Sequence, residues 1–316
     1  MFDVVALGEA LVDFTYYGQS EDGNVLFEQT PGGAPVNMLA TSASLGLSCA
    51  FIGKVGADER GAFFRKSLQQ LGIDVSGMVV TEDAATTISF VQSDDGVRNA
   101  TYMRKPGADS FLDQKEVNTD LLEGVKIFHF GSVSLSDEPS RSATIRTARA
   151  AKAAGAIISY DPNYRAALWK NADEAIKRMK GATFLVDVVK VSLVEMEMMT
   201  GTTDPEEAAK ILFDKGPTCV IITLDADGAL VITKEGMAKK TPPPCNPIDT
   251  NAAGDIFFGA FLYRLATSGK PLAEHNLLEL EGYIAFANAA AGLSTEKRGG
   301  VASVPELSDI YSRVKA

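Results

Sequence analysis

Short apolar runs alternate with segments of helical periodicity along most of the chain, and this alternation limits the fold more than any other feature. DVVALG (3–8), CAFIGKVG (49–56), VKIFHFG (125–131), AIISYDP (156–162) and TCVIITL (218–224) are apolar and partly β-branched. They read as buried strands. PVNMLATSASLG (35–46), RGAFFRKSLQQLG (60–72) and SATIRTARAAKAAG (142–155) repeat their apolar residues at helical spacing and stop at glycine, as helices often do. Alternation on this scale predicts an α/β fold: a mostly parallel sheet with helices on both faces. Two stretches break the pattern, from about Phe14 to Gln29 and from about Thr86 to Arg104. They read as short alternating strands with turn signals such as DDG at 94–96. The expectation is a small β-sheet lid beside the main sheet. No repeat and no low-complexity linker divides the chain, so residues 1–316 are expected to form one domain.

The bulk chemistry excludes several classes of function. The formal net charge is −11, against the basic patch a nucleic-acid binder normally needs. Any bound phosphate must then be held by local groups, not by the overall field. Hydrophobic residues make up 46%, enough for a sizeable core, and no apolar run approaches membrane-spanning length. Cys49, Cys219 and Cys245 show no metal-ligand spacing and fit inert thiols in a reducing compartment. The N-terminal MFDVVALGEA lacks a basic segment followed by a long apolar one. A cytoplasmic protein with small-molecule partners, neither nucleic acid nor membrane, is expected.

The stretch IDTNAAGDIFFGA (248–260) carries the sharpest chemical signal. Small residues give way to a helix-like run, and an acid, Asp255, stands at the junction. A small-residue turn into a helix points several unpaired N–H groups one way, and with the helix dipole they form an anion site. A phosphate resting there would leave the carboxylate free to take a proton from an attacking hydroxyl, the division of labour of phosphoryl transfer. The ordinary structural alternative is that Asp255 is a helix N-cap. On these residues alone the two readings weigh about equally.

Other stretches bear on the choice. GEALVDF (8–14), TPGGAPVNMLATSASLG (30–46) and DTNAAGD (249–255) resemble the signature regions of the ribokinase-like (PfkB-type) carbohydrate kinases. IGKVGADERGAFF, FHFGSVSLS, SYDPNYRAALW and DVVKVSLVEMEMMTG look like its fructokinase branch, and the resemblance covers nearly the whole chain. It implies that Asp255 is the catalytic base and that the amides of Ala252, Ala253 and Gly254 form an anion hole. It places Asp13, Gly33 and Asn37 on the sugar. Without it, Asp13 would pass for a strand-end turn residue, Asn37 for a first-turn helix residue, and Gly32-Gly33 for a tight turn.

Arg104 and Arg165 are the cations expected near sugar or phosphate, although exposed arginines are usually only solvated surface. Arg165 is the better candidate because it follows DPN, just past a strand end, where open α/β sheets bind ligands. SLVE (192–195) matches a capping box. In the family the same region bears on magnesium and phosphate, which makes Glu195 an indirect metal contact and Lys190 and Ser192 nucleotide-side residues. Thr223, Asp225 and Asn288 look like further nucleotide-side positions. STEKRGGVASVP (294–305) resembles a loop that, with backbone near Asp249, holds a monovalent cation in many relatives. The implied cofactors are ATP and Mg2+, with K+ as a further candidate, and the lid's outer face is a candidate dimer contact.

Two departures from the family pattern stand on the nucleotide side. Ala252 replaces the usual glycine, with Asn251 where threonine is common, and Asp225 replaces another glycine. A positive φ at position 252 would strain alanine by roughly 1 kcal/mol or more. In the turn, Gly254 is expected to allow tightening and Asn251 to tolerate a left-handed backbone. The leading expectation is ATP-dependent phosphorylation of D-fructose to fructose 6-phosphate. Two alternatives stay open: a kinase-like sugar-binding protein that has lost turnover, and a kinase for another sugar such as 2-keto-3-deoxygluconate. A dinucleotide-binding oxidoreductase is disfavoured because GEALVDF, not G-x-G-x-x-G, follows the first strand.

Overall fold

The computed structural model of the chain describes residues 1–94 and 97–315. Its first seven strands are β1 (Val4–Leu7), β2 (Leu11–Gln19), β3 (Val25–Gly32), β4 (Cys49–Gly56), β5 (Ile73–Thr81), β6 (Thr87–Asp94) and β7 (Val97–Met103). The remaining strands are β8 (Ile127–Gly131), β9 (Ile157–Asp161), β10 (Val188–Ser192), β11 (Cys219–Thr223), β12 (Ala229–Thr233) and β13 (Gly236–Lys240). The α-helices are α1 (Ala34–Ser44), α2 (Glu59–Gln70), α3 (Ser140–Ala153), α4 (Ala172–Ala182), α5 (Leu193–Thr200), α6 (Pro205–Phe213), α7 (Ala253–Thr267), α8 (Leu277–Thr295) and α9 (Leu307–Lys315).

Nine strands form one sheet in the order β13-β12-β11-β10-β9-β8-β1-β4-β5. All its pairings are parallel except β11–β12 and β12–β13. Side chains that alternate along a strand enter two separate cores. Val4 and Ala6 join the apolar faces of α1, α7 and α8, while Val5 and Leu7 join those of α3 to α6. Burial on both faces explains why these strands read as continuous apolar runs. The expected sheet with helices on both faces is therefore present.

β5, β10, β12 and β13 had no counterpart among the strands expected from sequence. β13, GMAKK, is a polar edge strand with no fully buried residue, so it lacks the apolar signature. The strand order reverses between β1 and β8, which marks the carboxyl ends of these strands as the place where such folds bind ligands.

The smaller sheet runs β3-β2-β6-β7 and is antiparallel apart from the β2–β6 pair. It extends further than the expected 14–29 segment, because β2 begins at Leu11 and β3 runs to Gly32. Those ends are buried or half-buried while most of the rest is half-buried or exposed, so the ends read like core and only the remainder like a separate small sheet. The DDG signal at 94–96 falls partly outside the described residues. Among the described residues, no helix is long and apolar enough to cross a membrane.

Candidate active site

Asp255 occupies the third position of α7, not its cap. The cap is Ala252, whose side chain makes no capping bond. The Asp255 carboxylate is 5% exposed and faces two amides instead: Asn37 Nδ2 donates to Oδ2 at 2.8 Å, and Asn163 Nδ2 donates to Oδ1 at 2.7 Å. The N-cap alternative is thereby set aside.

A glycine brings Asn37 to Asp255. A Cβ at Gly259 would lie 2.6 Å from the Met38 carbonyl and 2.7 Å from Thr41 Cβ, so only glycine lets α7 press this closely on α1. Ser42 Oγ bridges the same contact by donating to the Gly259 carbonyl at 3.3 Å. Asn163 arrives from the other side, two residues beyond β9, with its backbone at φ 45° and its N–H on Asp161 Oδ1 at 3.1 Å. Sequence reasoning did not single out Asn163. Its signal was the DPN at a strand end, where asparagine tolerates a left-handed turn.

An inner cavity is lined by Asp13, Gly33, Asn37, Asn163, Arg165 and Asp255, among others. Four of the five residues expected to meet sugar or its phosphate at this end, Asp13, Gly33, Asn37 and Arg165, thus converge on Asp255. Ser89 Oγ donates a short hydrogen bond to Asp13 Oδ1 across the β2–β6 pair. Gly32 and Gly33 do more than turn the chain. A side chain at Gly32 would collide with the Asp13 carboxylate, and one at Gly33, where φ is 113°, would meet the Glu9 carbonyl at 2.7 Å. The Arg165 guanidinium donates to the carbonyl of Tyr164 at 3.1 Å. A second cavity of about 350 Å3 shares Tyr102 and Arg165 with the inner one.

Arg104 is placed differently from expectation. It does not line the inner cavity. Its Nε donates to Asp109 at 2.8 Å, and its Nη1 donates to Ser136 at 2.9 Å and Asp137 at 3.1 Å. Three partners at the base of β7 hold the side chain at 5% exposure, so it fastens the small sheet to the body.

On the other side of Asp255, Lys190 Nζ donates to Asp161 Oδ2 at 2.6 Å, both side chains being buried. Burial opposes the ammonium, but Asp161, Glu195 and Asp255 outweigh it and hold Lys190 above its ordinary value. A Cβ at Gly254 would lie 3.2 Å from Lys190 Nζ, which puts this cation at the start of α7. Ser192 and Glu195 form the expected capping box of α5. Glu195 also accepts the Tyr164 N–H at 2.7 Å, so it steadies the turn that carries Arg165. Thr223 closes β11, and its Oγ1 donates to the Val191 carbonyl at 3.5 Å. Asp225 is exposed just beyond it. Asn288 Nδ2 donates to the Lys240 carbonyl at 2.8 Å, a bond that ties α8 to β13.

A carboxylate in the first turn of a helix, amides beside it, a buried ammonium and a polar cavity form a constellation suited to moving a phosphoryl group onto a hydroxyl. The comparisons agree with it. The pfkB family carbohydrate kinase model matches residues 1–307. The chain belongs to this family. As a pfkB kinase it is 37% identical over 306 residues to Fructokinase-1 of Oryza sativa subsp. japonica, covering 96% of this chain and 94% of that protein. The solved fructokinase of Xylella fastidiosa with bound ATP superposes with a TM-score of 0.92 at 29% identity, covering 100% of this chain and 99% of that one. Fructokinase from Vibrio cholerae O395, bound to fructose, ADP and calcium ion, gives a TM-score of 0.88 at 31% identity, with 99% of both chains covered. The fold and the sugar-kinase activity both follow.

Both departures from the family pattern fall on left-handed backbone. Ala252 has φ 61° and Asp225 has φ 51°, whereas Asn251 and Gly254, expected to absorb the turn, are outside the positive-φ set. Ala252→Gly should therefore stabilise the pfkB fold. Left-handed strain in a residue with a Cβ costs about 1–2 kcal/mol, and glycine's extra unfolded-state freedom returns about 0.4–1 kcal/mol of that. Urea unfolding should show a net gain of between about 0 and about 1.6 kcal/mol. Asp225→Gly should be close to neutral, since aspartate tolerates this region. A clear loss of stability in Ala252→Gly would mean that residue 252 does not adopt the left-handed turn.

Proposed function

We propose that the chain transfers the γ-phosphoryl group of ATP to the 6-hydroxyl of D-fructose. The observation that carries this is the Asp255 carboxylate, held between two asparagines on the wall of a polar cavity and at the start of α7. The fructokinases that the chain resembles along their full length supply the substrate class. Asp13, Asn37 and Asn163 offer the carboxylate and amide groups that bind hydroxyls. Asp255 accepts the proton as the sugar oxygen attacks in line. The first amides of α7, Lys190 and Arg165 stabilise the charge that spreads over the phosphoryl oxygens.

No group of three or more His, Cys, Asp or Glu residues suited to holding a metal ion occurs among the described residues. The residues thus fit a magnesium ion that arrives with the nucleotide and is held by its phosphates and by water. When bound, it would neutralise phosphate charge. Glu195 has its oxygens on the backbone N–H groups of Tyr164 and Ser192, so any role at the metal is indirect. Asp249 likewise accepts the N–H groups of Asn251 at 2.9 Å and Gly299 at 3.1 Å. A potassium titration of activity tests for an ion at this loop.

Residues 1–316 act as one kinase unit, with the small sheet as a lid that excludes water from the cavity. Tyr16, Tyr17, Val25 and Leu26 leave apolar surface exposed on that sheet, which a second copy would cover. Sedimentation as a monomer at all concentrations would remove the dimer. A protein with free thiols that consumes ATP belongs in the cytoplasm, which fractionation can test.

The deciding experiment is coupled ADP release over a panel of fructose, 2-keto-3-deoxygluconate, ribose and nucleosides. Fructose should give the highest kcat/KM, and a higher value for another member would replace it as substrate. Asn37→Ala should raise the sugar KM well above any change in the ATP KM. Loss of one such polar contact costs roughly 0.5–3 kcal/mol, from a few-fold to about a hundredfold. A shift confined to the ATP KM would reverse the assignment of the two sides of Asp255.

A further inference from the structure

Glu9 stands two residues beyond β1, beside the point where the strand order reverses, and is 4% exposed. Its two carboxyl oxygens have different surroundings. Oε1 accepts the Ala34 N–H at 2.9 Å, at the first residue of α1. Oε2 is buried and has no hydrogen-bond partner among the described residues. A buried carboxylate oxygen without a partner is uncommon and costly, and it calls for an explanation.

The position of Glu9 supplies one. Glu9 lines the inner cavity together with Asp13, Gly33, Asn37 and Asp255. Gly131 lies opposite, where an added Cβ would stand in ordinary contact with Oε2 at 4.0 Å. Burial raises the Glu9 carboxyl to about 7, against the lowering by the N–H groups of Glu9 and Ala34; nearby Asp109 raises it further and Arg104 lowers it. Near neutral pH both forms are accessible. A bound hydroxyl selects the carboxylate form, whose Oε2 accepts its hydrogen; an amide NH2 in that place cannot accept.

We propose that Glu9 is a specificity-determining residue: Oε2 takes one hydroxyl of the bound sugar while Oε1 holds the first turn of α1. The proposal rests on the cavity being the sugar site of this kinase. It differs from an anchoring role, in which Glu9 would act only through Ala34.

The test is a cycle between protein and sugar. Glu9→Gln keeps an oxygen for the Ala34 N–H and replaces Oε2 by an NH2 group of nearly the same size. Wild type and Glu9→Gln are compared on the preferred sugar of the panel and on its monodeoxy derivatives, with ADP release as the readout. For the full sugar, kcat/KM should fall about tenfold or more through the sugar KM, with the ATP KM within about twofold, the scale of one polar contact. For the derivative lacking the contacted hydroxyl, the two proteins should perform alike.

An equal loss on every derivative would assign Glu9 to anchoring alone and overturn the proposal, as would unchanged kinetics in Glu9→Gln. The wild-type panel keeps this outcome apart from an error in the substrate: a different preferred sugar corrects the substrate and leaves the cycle to be run on that sugar's derivatives.

Discussion

Asp255→Asn is expected to lower kcat by about 10²–10⁴, the scale of a lost general base, while fructose binding stays within a few-fold of wild type. The asparagine has the size of the aspartate and keeps one acceptor oxygen. Asn37 and Asn163 each donate to one carboxylate oxygen, at 2.8 and 2.7 Å. Either can turn its own amide to offer a carbonyl to the new NH2 group, so the local packing survives. Only the ability to take a proton is removed. The measurement is kcat and both KM values by ADP release, with thermal unfolding as a control. If kcat is unchanged in a folded variant, Asp255 merely orders the two asparagines and the chemistry must be sought elsewhere on the cavity wall.

Asp255, Asp13, Gly33 and Asn37, which the structure brings to one cavity, stood out in the sequence because the motifs around them hold small residues with a geometric reason. Gly32, Gly33 and Gly259 permit close approaches that any Cβ would block. The lid was visible as a break in periodicity, although its ends were hidden where Leu11 and Val12 turn inward and read like core. β10 was obscured differently. Its five residues include the charged Lys190 and run straight into α5, so no turn signal separates strand from helix.

Arg104 was expected at the ligand because sequence records its charge but not its partners. Asp109 is 5 residues away and Asp137 is 33 away, and only the fold shows that both hold the guanidinium. Glu9 and Asn163 escaped notice for a related reason. Each lies inside a stretch the sequence analysis quoted, GEALVDF or SYDPNYRAALW, and its role depends on what the fold brings opposite it. Ala252 shows the same limit in the backbone: the substitution was legible, but which residue of DTNAAGD carries the positive φ was not.

Lys190→Met is expected to produce the largest loss of stability of any variant considered. Lys190 and Asp161 are 5% and 2% exposed and lie 2.6 Å apart. Removing one partner of such a pair leaves a buried charge unmatched and typically costs about 3–5 kcal/mol. Asp161 also accepts the N–H of Asn163, so a disturbed Asp161 loosens the turn that holds Asp255. The double variant Lys190→Met/Asp161→Asn removes the Asp161 charge together with its partner and should recover much of that loss in urea unfolding.

The pH dependence has a definite sign. Lys190 is held above its ordinary value, so its own contribution is present below the unfolded-state value of 10.5 and is lost only as pH rises through the higher folded one, while burial raises Asp161 more than Lys190 lowers it. Across neutral pH the Lys190 contribution to the stability gap between wild type and double variant should therefore stay flat. Activity should separate from stability. The ammonium lies beside Gly254 at the start of α7, where the phosphoryl oxygens are proposed to rest, and restoring the fold does not restore that charge. The double variant should thus regain most of its unfolding midpoint yet keep a raised ATP KM and a lowered kcat. If its activity recovers together with its stability, Lys190 serves only to balance Asp161, and the charge on the phosphoryl group is met by Arg165 and the α7 amides alone.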